Sequence, residues 1–207
     1  MFYKKITPFV KRVFILNIAF LILIGIAAYF VLAAKTEQQK KISLPLPTEL
    51  YQGLPATSTP VSLSIPSLNV EAKVAAVGRA LSGNMAVPTN YEDVGWYKHG
   101  PVPGQSGNAV IAGHLDDGKG NGAVFSKLSE ITIGDLVYVT TDTGERIAFA
   151  VREIRLVDYS NPPLQEIFGK SFGMHLNIIT CDGTWIPEKR MYDKRLVVFT
   201  DRVALEI

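Results

Sequence analysis

The feature that most constrains this fold is a series of short alternating segments, separated by turn residues, across residues 61–203. Residues 61–65 and 68–74 alternate apolar and polar side chains, the period of a strand with one buried face. Residues 136–140 and 145–157 flank the turn sequence TDTG and predict a hairpin. Since no long amphipathic helix interrupts the series, the sequence predicts an all-β fold, closed or sandwiched.

Three more apolar runs are typical of buried strands, and the second carries the only cysteine of the chain. They cover residues 108–114, 176–181 and 195–200. Because the second run ends on Cys181 and a turn-like Asp-Gly follows, we expect the strand to stop there and present the thiol at a rim. Residues 182–194 would then form a loop that leads into the last strand.

The segments between the predicted strands are rich in glycine, proline and polar residues. The glycine-rich segment 116–122 lacks the Gly-Lys-Ser/Thr ending of a phosphate-binding loop, so it predicts no nucleotide site. We expect one or two helical turns within residues 123–131 and a short helix at residues 164–168. The aromatic residues of segment 95–97 are interpreted as core packing.

Residues 13–34 contain no charged side chain, and Asn17 is their only strongly polar residue. As a helix rising 1.5 Å per residue they would span about 33 Å, and the hydrocarbon core of a bilayer is roughly 30 Å thick. A buried core helix is disfavoured because the run is apolar on every face. The run therefore predicts a transmembrane anchor, with a signal peptide cleaved after Ala34 as the alternative.

The charges around this run predict its orientation. Basic residues dominate residues 1–12, whereas those that follow the run are mixed with Glu37, so the positive-inside rule favours a cytoplasmic N-terminus and an extracellular domain on a single-pass membrane protein. Residues 35–60 are rich in proline and polar residues, which is typical of a semi-extended tether. The folded domain is then expected at residues 61–207.

Charge and cysteine content exclude several classes of protein. The formal net charge of +2 gives no indication of nucleic-acid binding. A single cysteine cannot form an intramolecular disulfide, so no disulfide framework holds the domain. A free extracellular thiol is exposed to oxidation and is therefore a candidate for reactivity, although free cysteines are often small buried hydrophobic residues.

If Cys181 is a nucleophile it needs an activating partner, because a thiol of ordinary pKa reacts weakly. The chain has three histidines. His175 precedes the cysteine on the same predicted strand at a distance of roughly 20 Å, and His99 lies in a polar loop. His114 ends a strand, as Cys181 does, and two strand ends can converge on one rim, so His114 is the best partner.

Attack on a carbonyl creates an oxyanion, which requires hydrogen-bond donors. Arg195 begins the last predicted strand, whereas Arg190 lies within the predicted loop. A guanidinium offers forked, permanently charged donors, so Arg195 is the preferred candidate and Arg190 the competitor. A zinc site of His99, His114 and Cys181 is disfavoured because their spacing matches no compact ligand pair.

Together these features resemble the sortases, membrane-anchored cysteine transpeptidases of Gram-positive-type cell envelopes. The resemblance rests on Gly-His at 113–114, Ile-Thr-Cys at 179–181 and Arg195, in this order after an N-terminal apolar run. It covers the run, the tether and essentially all of residues 61–203. It implies a closed β-barrel of about eight strands with short helices. Residues 177–181 read NIITC where similar family members carry Thr-Leu-x-Thr-Cys, so the subclass is open between an anchoring type and a class E/F-like form.

The resemblance implies a two-step reaction. The Cys181 thiolate would cleave an LPxTG-like sorting signal after its Thr and form a thioester, while His114 protonates the leaving amine and Arg195 holds the carbonyl or the oxyanion. An amine of a cell-wall precursor or a pilin would then resolve the thioester. Surface proteins that carry such signals, and the acceptor amine, are the expected partners.

The resemblance also implies a substrate groove. Its lining would include Ala112, Ile179, Thr180 and Tyr192, and residues 158–174 would cover it. Some sortases bind calcium between such loops. In this chain the acidic residues do not gather in sequence, so neither a metal nor another cofactor is expected.

Several alternatives stay open at this point. One is a membrane-tethered thiol peptidase that hydrolyses without ligating, and another is a non-catalytic envelope-binding domain with a buried Cys181. The zinc site is the least favoured. Within the tether, residues 54–58 read LPATS and resemble a sorting signal, which raises the hypothesis that they occlude the groove; a plain proline-rich tether is the favoured interpretation.

Overall fold

The structure, a computed structural model, describes residues 58–204, and within them eight strands form a closed barrel. In chain order the strands are β1 (Pro60–Ile65), β2 (Val70–Val77), β3 (Val94–Tyr97), β4 (Gly107–Gly113), β5 (Leu136–Thr141), β6 (Arg146–Asp158), β7 (Met174–Ile186) and β8 (Met191–Val203). Around the barrel they follow the order β1-β2-β3-β4-β7-β8-β6-β5, and β5 pairs with β1. The predicted all-β closed barrel is confirmed.

The predicted N-terminal segment, the apolar run at 13–34, the tether up to residue 57 and most of the LPATS segment lie outside the described residues. Among residues 58–204, no helix has both the length and the apolar character needed to cross a membrane. The organisation proposed for residues 1–57 therefore stays a prediction.

The parallel pairing of β4 with β7 decides which residues meet at one end of the barrel. These strands are far apart in sequence, and their register pairs Gly107 with Met174 and Ala112 with Ile179. Because the two strands run in the same direction, the residue that follows β4 lies beside the second half of β7. The other neighbour of β7 is β8, which runs antiparallel to it.

Most residues on both faces of β4 and of the central parts of β7 and β8 are buried, which explains why these segments read as continuous apolar runs. Their inward residues join the barrel core, among them Ile111, Ile178 and Val198. Their outward residues contribute to a second apolar cluster, which also includes residues of β6 and of the segment before β7. We call it the outer cluster: Val110, Val157, Ile167, Val197 and Phe199, with Met85, Tyr97, Phe168 and Ile179 packed against it.

A short helix, α1 (Leu164–Phe168), closes over this outer face and has the bounds that the sequence predicts. Two asparagines on neighbouring strands hold its carbonyl groups. The Asn108 amide donates to the carbonyls of Glu166 (3.1 Å) and Gly169 (3.0 Å). The fully buried Asn177 amide donates to the carbonyl of Ile167 (2.8 Å). The helix is thereby fixed on β4 and β7.

Two predictions about the cysteine strand are wrong. The strand does not stop at Cys181, because β7 continues to Ile186, and the residues that follow are not a long loop, because β8 begins at Met191. The Asp-Gly sequence is a β-bulge rather than a turn. The register of β7 with β8 shifts between Asp182 and Trp185, and Gly183 has a φ of +85°, which an L-residue rarely adopts.

Strand β3 was not predicted, because four residues are too few to show a period. Its aromatic residue Trp96 is buried in the core, as the interpretation of segment 95–97 expects. The other elements follow the sequence closely: the β5–β6 hairpin turns at TDTG, and a 3₁₀ turn occupies Leu128–Glu130 within the segment expected to be helical.

The last residue of β4, Gly113, is required by the packing of the core. A Cβ atom at this position would lie 2.6 Å from Phe125 Cδ2 and 2.9 Å from Val124 Cγ1. Phe125 is fully buried, so its ring has little room to move aside. The glycine of the Gly-His pair therefore lets the segment after β4 fold back over the core.

We expect Gly113→Ala to lower the free energy of unfolding by about 1–3 kcal/mol, because the added methyl overpacks the core. Urea titration followed by tryptophan fluorescence measures the change. Gly78→Ala is the matched control, since its Cβ would meet only the side-chain ends of His99 and Lys98, at 3.4 Å. The control should change stability by less than about 1 kcal/mol. Equal losses in the two variants would contradict this account of Gly113.

Candidate functional site

Three neighbouring strands bring Cys181, His114 and Arg195 towards one place on the outer face of the barrel. Cys181 on β7 is the cross-strand partner of Arg195 on β8. On the other side, Ala112 of β4 pairs with Ile179 of β7. If both strands are followed two residues further, His114 comes level with Cys181. The cysteine thus lies between the histidine and the arginine.

The alternation of side chains along the strands puts these residues on the same face. Ile179 packs against the outer cluster, and Val197 belongs to it. Residues two apart on a strand face the same side, so Cys181 and Arg195 also face outward. Ala112 shares this face with Ile179, because Val110 of β4 is in the outer cluster. Ala112 and Ile179 therefore lie on the same outward face as Cys181, and their role in a substrate groove stays a prediction.

Thr180 faces the opposite way and does not share this surface. Its side chain is buried, and its hydroxyl donates to the Gly113 carbonyl at 3.0 Å. This hydrogen bond continues the alignment of β4 with β7 beyond their last paired residues. Thr180, which precedes Cys181, thereby holds Gly113, which precedes His114, beside it.

His114 is fixed by the segment between β2 and β3. Its Nε2 atom lies 2.8 Å from the Pro88 carbonyl oxygen, and its ring packs on Tyr91 with centroids 4.8 Å apart. Because a carbonyl oxygen can only accept, Nε2 must carry the proton. Nδ1 is then the basic nitrogen of the neutral ring, and it is the atom that can take a proton from a thiol.

Opposing effects act on the thiol of Cys181, which is partly buried. Burial raises its pKa above the ordinary value, the charge of Arg195 lowers it, and the carboxylates of Asp116 and Asp182 raise it further. Because burial is the largest effect and the net direction is upward, the resting group is a thiol at neutral pH. A base must therefore remove its proton before it can attack.

Arg195 is held in place by its own strand and by a neighbouring ring. Its Nη1 donates to the carbonyls of Tyr192 (3.0 Å) and Lys194 (2.7 Å). Its guanidinium lies over the Tyr159 ring at 4.5 Å. The prediction that Arg195 begins its strand is wrong, because β8 starts at Met191. The competitor Arg190 lies in the tight turn between β7 and β8, with a φ of +52°.

Tyr192 and Asp116 form a link at the rim beside Cys181. The Tyr192 hydroxyl donates to Asp116 Oδ2 at 2.5 Å, which is the main cause that raises the pKa of Tyr192 to about 12. The rings of Trp185, a half-exposed residue, and Tyr192 make an edge-to-face contact with centroids 5.2 Å apart. The link joins the loop after His114 to the β7–β8 hairpin.

Sequence reasoning missed Asp116. Its segment was considered only as a phosphate-binding loop, although an acid two residues after a candidate base is itself a signal. The remaining candidates lie elsewhere. His99 is exposed against the edge of Tyr97, and within residues 58–204 no three histidine, cysteine or acidic side chains are grouped so that they could hold a metal ion.

Comparison with known proteins gives a family and a fold. The family model described as "Sortase domain" matches residues 63–203. Among solved structures, a lid mutant of sortase A from Corynebacterium diphtheriae matches with a TM-score of 0.56 and 22% identity, over 73% of this chain and 72% of that one. SortaseC1 from Streptococcus suis matches with a TM-score of 0.56 and 21% identity, over 72% and 75%. The comparison with curated proteins gave no match.

We expect Asp116→Asn to lower the pKa of Cys181, because it removes a negative charge that disfavours the thiolate, and Arg195→Gln to raise it. Only the thiolate is alkylated, so the midpoint of the iodoacetamide rate against pH follows this pKa. The midpoint should move to lower pH in Asp116→Asn and to higher pH in Arg195→Gln.

Asp117→Asn is the matched control for this measurement. The Asp117 carboxylate is bound within its own loop by Lys119 and Asn121. The Asp117→Asn variant should leave the midpoint of the alkylation rate against pH unchanged. An upward shift in Asp116→Asn, or equal shifts in the two aspartate variants, would contradict the electrostatic role of Asp116.

Proposed function

The chain belongs to the sortase family, and from this premise we propose that it is a cysteine transpeptidase that acts on LPxTG-like sorting signals through Cys181. The observation that supports the proposal is the position of Cys181 on the middle strand of three, with Arg195 opposite it on β8 and His114 level with it beyond β4. These three residue types supply a nucleophile, a base and a fixed cation on one accessible face.

In the first step the thiol loses its proton and attacks. His114 Nδ1 takes the proton from Cys181 Sγ, and Sγ bonds to the carbonyl carbon of the signal's Thr. The charge that develops on the carbonyl oxygen is stabilised by guanidinium N–H groups of Arg195 other than those bound to its own strand. When the C–N bond breaks, His114 returns the proton to the leaving amine, and a thioester remains.

In the second step an amine resolves the thioester. His114, now neutral, removes a proton from the attacking amine, a new amide bond forms, and Cys181 leaves as a thiol. We assign the acceptor to a cell-wall precursor or a pilin amine. Water in place of the amine would give hydrolysis, so access to the second substrate decides between transfer and cleavage.

The apolar part of the signal fits the outward surface beside the thiol. Ala112 and Ile179 lie there next to the outer cluster, and α1 borders this cluster through Ile167. The link between Tyr192 and Asp116 forms the rim on the hairpin side. Thr180 supports this surface from behind rather than lining it.

We further propose that residues 13–34 anchor the chain in the cell membrane with the barrel outside. Cys181 is the only cysteine, so any thiol labelling of the chain shows on which side of the membrane Cys181 lies. A membrane-impermeant maleimide should label it in whole cells, as it does in detergent-solubilised protein. Labelling only after lysis would place the barrel on the cytoplasmic side and overturn this topology.

The transpeptidase is tested by incubating the full chain with an LPxTG-type peptide and an oligoglycine or lysine amine, and by identifying the products by mass spectrometry. Wild type should accumulate the exchanged peptide. Cys181→Ala should be inactive, and His114→Ala should be slower by about 10²–10⁴-fold, the usual contribution of a general acid–base. Arg195→Ala should lose about 10²–10³-fold, as expected for an oxyanion donor.

Arg190→Gly is the control for Arg195→Ala, because it removes a guanidinium from a turn whose positive φ suits glycine. It should retain wild-type activity. Hydrolysis without exchange would favour the peptidase, whereas no turnover together with a Cys181 inert to alkylation would favour a binding domain.

A further inference from the structure

A second group of reactive side chains lies at the other end of β7 from Cys181. His175 Nε2 lies 2.9 Å from Ser171 Oγ, and His175 Nδ1 lies 2.7 Å from Asp201 Oδ1. His175 is six residues before Cys181 on the same strand, roughly 20 Å away along an extended chain. This group is therefore separate from the candidate active site.

The hydrogen bonds fix the tautomer of the histidine. A carboxylate oxygen only accepts, so His175 Nδ1 carries a proton, and in the neutral ring Nε2 is left to accept the proton of the Ser171 hydroxyl. Asp201 is in turn held by Arg152 Nε at 3.0 Å. A serine whose hydroxyl faces a histidine, with that histidine oriented by a carboxylate, has the arrangement of an activated nucleophile.

The surrounding chain is shaped to keep this arrangement. A side chain on Gly173 would collide with the His175 ring at Nε2, so glycine is what lets the ring reach Ser171. The Gly173 N–H donates to Ser171 Oγ at 3.3 Å. The Ser106 hydroxyl donates to the backbone carbonyls of Ser171 (3.3 Å) and Phe172 (3.2 Å). The serine loop is thus tied from two sides.

Ser171 also lines a cavity of about 530 Å³, which is large enough for a small organic molecule. Phe168, Phe172 and Pro101 give the cavity apolar walls. Lys170 lies in the same wall and provides a positive charge. The cavity thus combines a nucleophile, space for an apolar group and a cation.

We propose that Ser171 and His175, oriented by Asp201, form a second nucleophile site that accepts carboxylic esters with a short apolar acyl group. Ser171 Oγ bonds to the ester carbonyl carbon while His175 Nε2 takes the serine proton. Lys170 stabilises the charge on the carbonyl oxygen. The bond to the alcohol breaks, and the alcohol leaves with the proton from His175. Water then releases the acid and regenerates the serine by the same proton transfers.

The test uses the full chain carrying Cys181→Ala, so that the other nucleophile cannot contribute. A biotinylated alkyl fluorophosphonate serves as the probe, since attack by serine forms an O–P bond and expels fluoride. Peptide mass spectrometry should place one probe group on Ser171. His175→Gln should slow labelling by about 100-fold or more, the usual effect of losing a general base. Turnover of 4-nitrophenyl butyrate should fall in parallel.

Two further variants separate catalysis from support of the loop. Asp201→Asn should slow labelling while leaving the melting temperature close to that of its parent, and Asp201→Glu should restore part of the rate. Ser160→Ala is the matched serine control, because Ser160 is exposed and its hydroxyl is bound to Asp158, with no histidine partner among the described residues. It should label at the parental rate.

Two outcomes of the labelling rates would overturn the proposal. One is labelling of Ser171 that is as fast in His175→Gln as in the parent. The other is labelling that is equally fast in native and urea-denatured protein, which decides the question even if a variant fails to fold. Probe found on serines other than Ser171 would also assign the reactivity elsewhere.

Discussion

The alignment of β4 with β7 is the constraint on which the candidate active site depends. The two strands are direct neighbours in the barrel and run parallel, although the β5–β6 hairpin and α1 separate them along the chain. The buried hydrogen bond from Thr180 to the Gly113 carbonyl extends this alignment to the level of Cys181. A shift of one residue along either strand would reverse the faces of the side chains and separate His114 from the thiol.

The outer cluster makes this alignment stable. In addition to the core inside the barrel, α1 covers the outside of β4 and β7. The two asparagines beneath α1 satisfy its carbonyls without interrupting the apolar surface. Of the buried side-chain atoms within residues 58–204, Asn177 Oδ1 has no hydrogen-bond partner. The Asn177 side chain is therefore used for its N–H₂ donor, which binds α1. The unpaired buried oxygen opposes folding and is the cost of that contact.

The charges around Cys181 favour a protonated sulfur, unlike those around a cysteine that is permanently ionised. Burial and two nearby carboxylates oppose the single charge of Arg195, so the proton stays on sulfur until a base removes it. This arrangement protects the free thiol from oxidation, because the thiolate is the form that oxidants attack. The link between Tyr192 and Asp116 contributes to the same balance, since it holds one of these carboxylates at the rim.

Most of the fold could be predicted from the sequence because period-two alternation and turn residues are local signals. They located β1, the β5–β6 hairpin and α1 to within a residue or two. They failed where the local signal was weak or ambiguous. The four residues of β3 show no period, and Asp182-Gly183 has the composition of a turn although the chain uses it for a bulge.

The sequence by itself determined the residue types of the candidate site, an all-β fold and family membership, because motifs and periodicity belong to neighbouring residues. Only the tertiary structure decided which side chains share a face. It turned Thr180 inward, added Asp116 to the rim and brought Ser171 to His175 and Asp201. These contacts join residues from different strands and loops, and strand register, which depends on packing across the whole barrel, sets their distances.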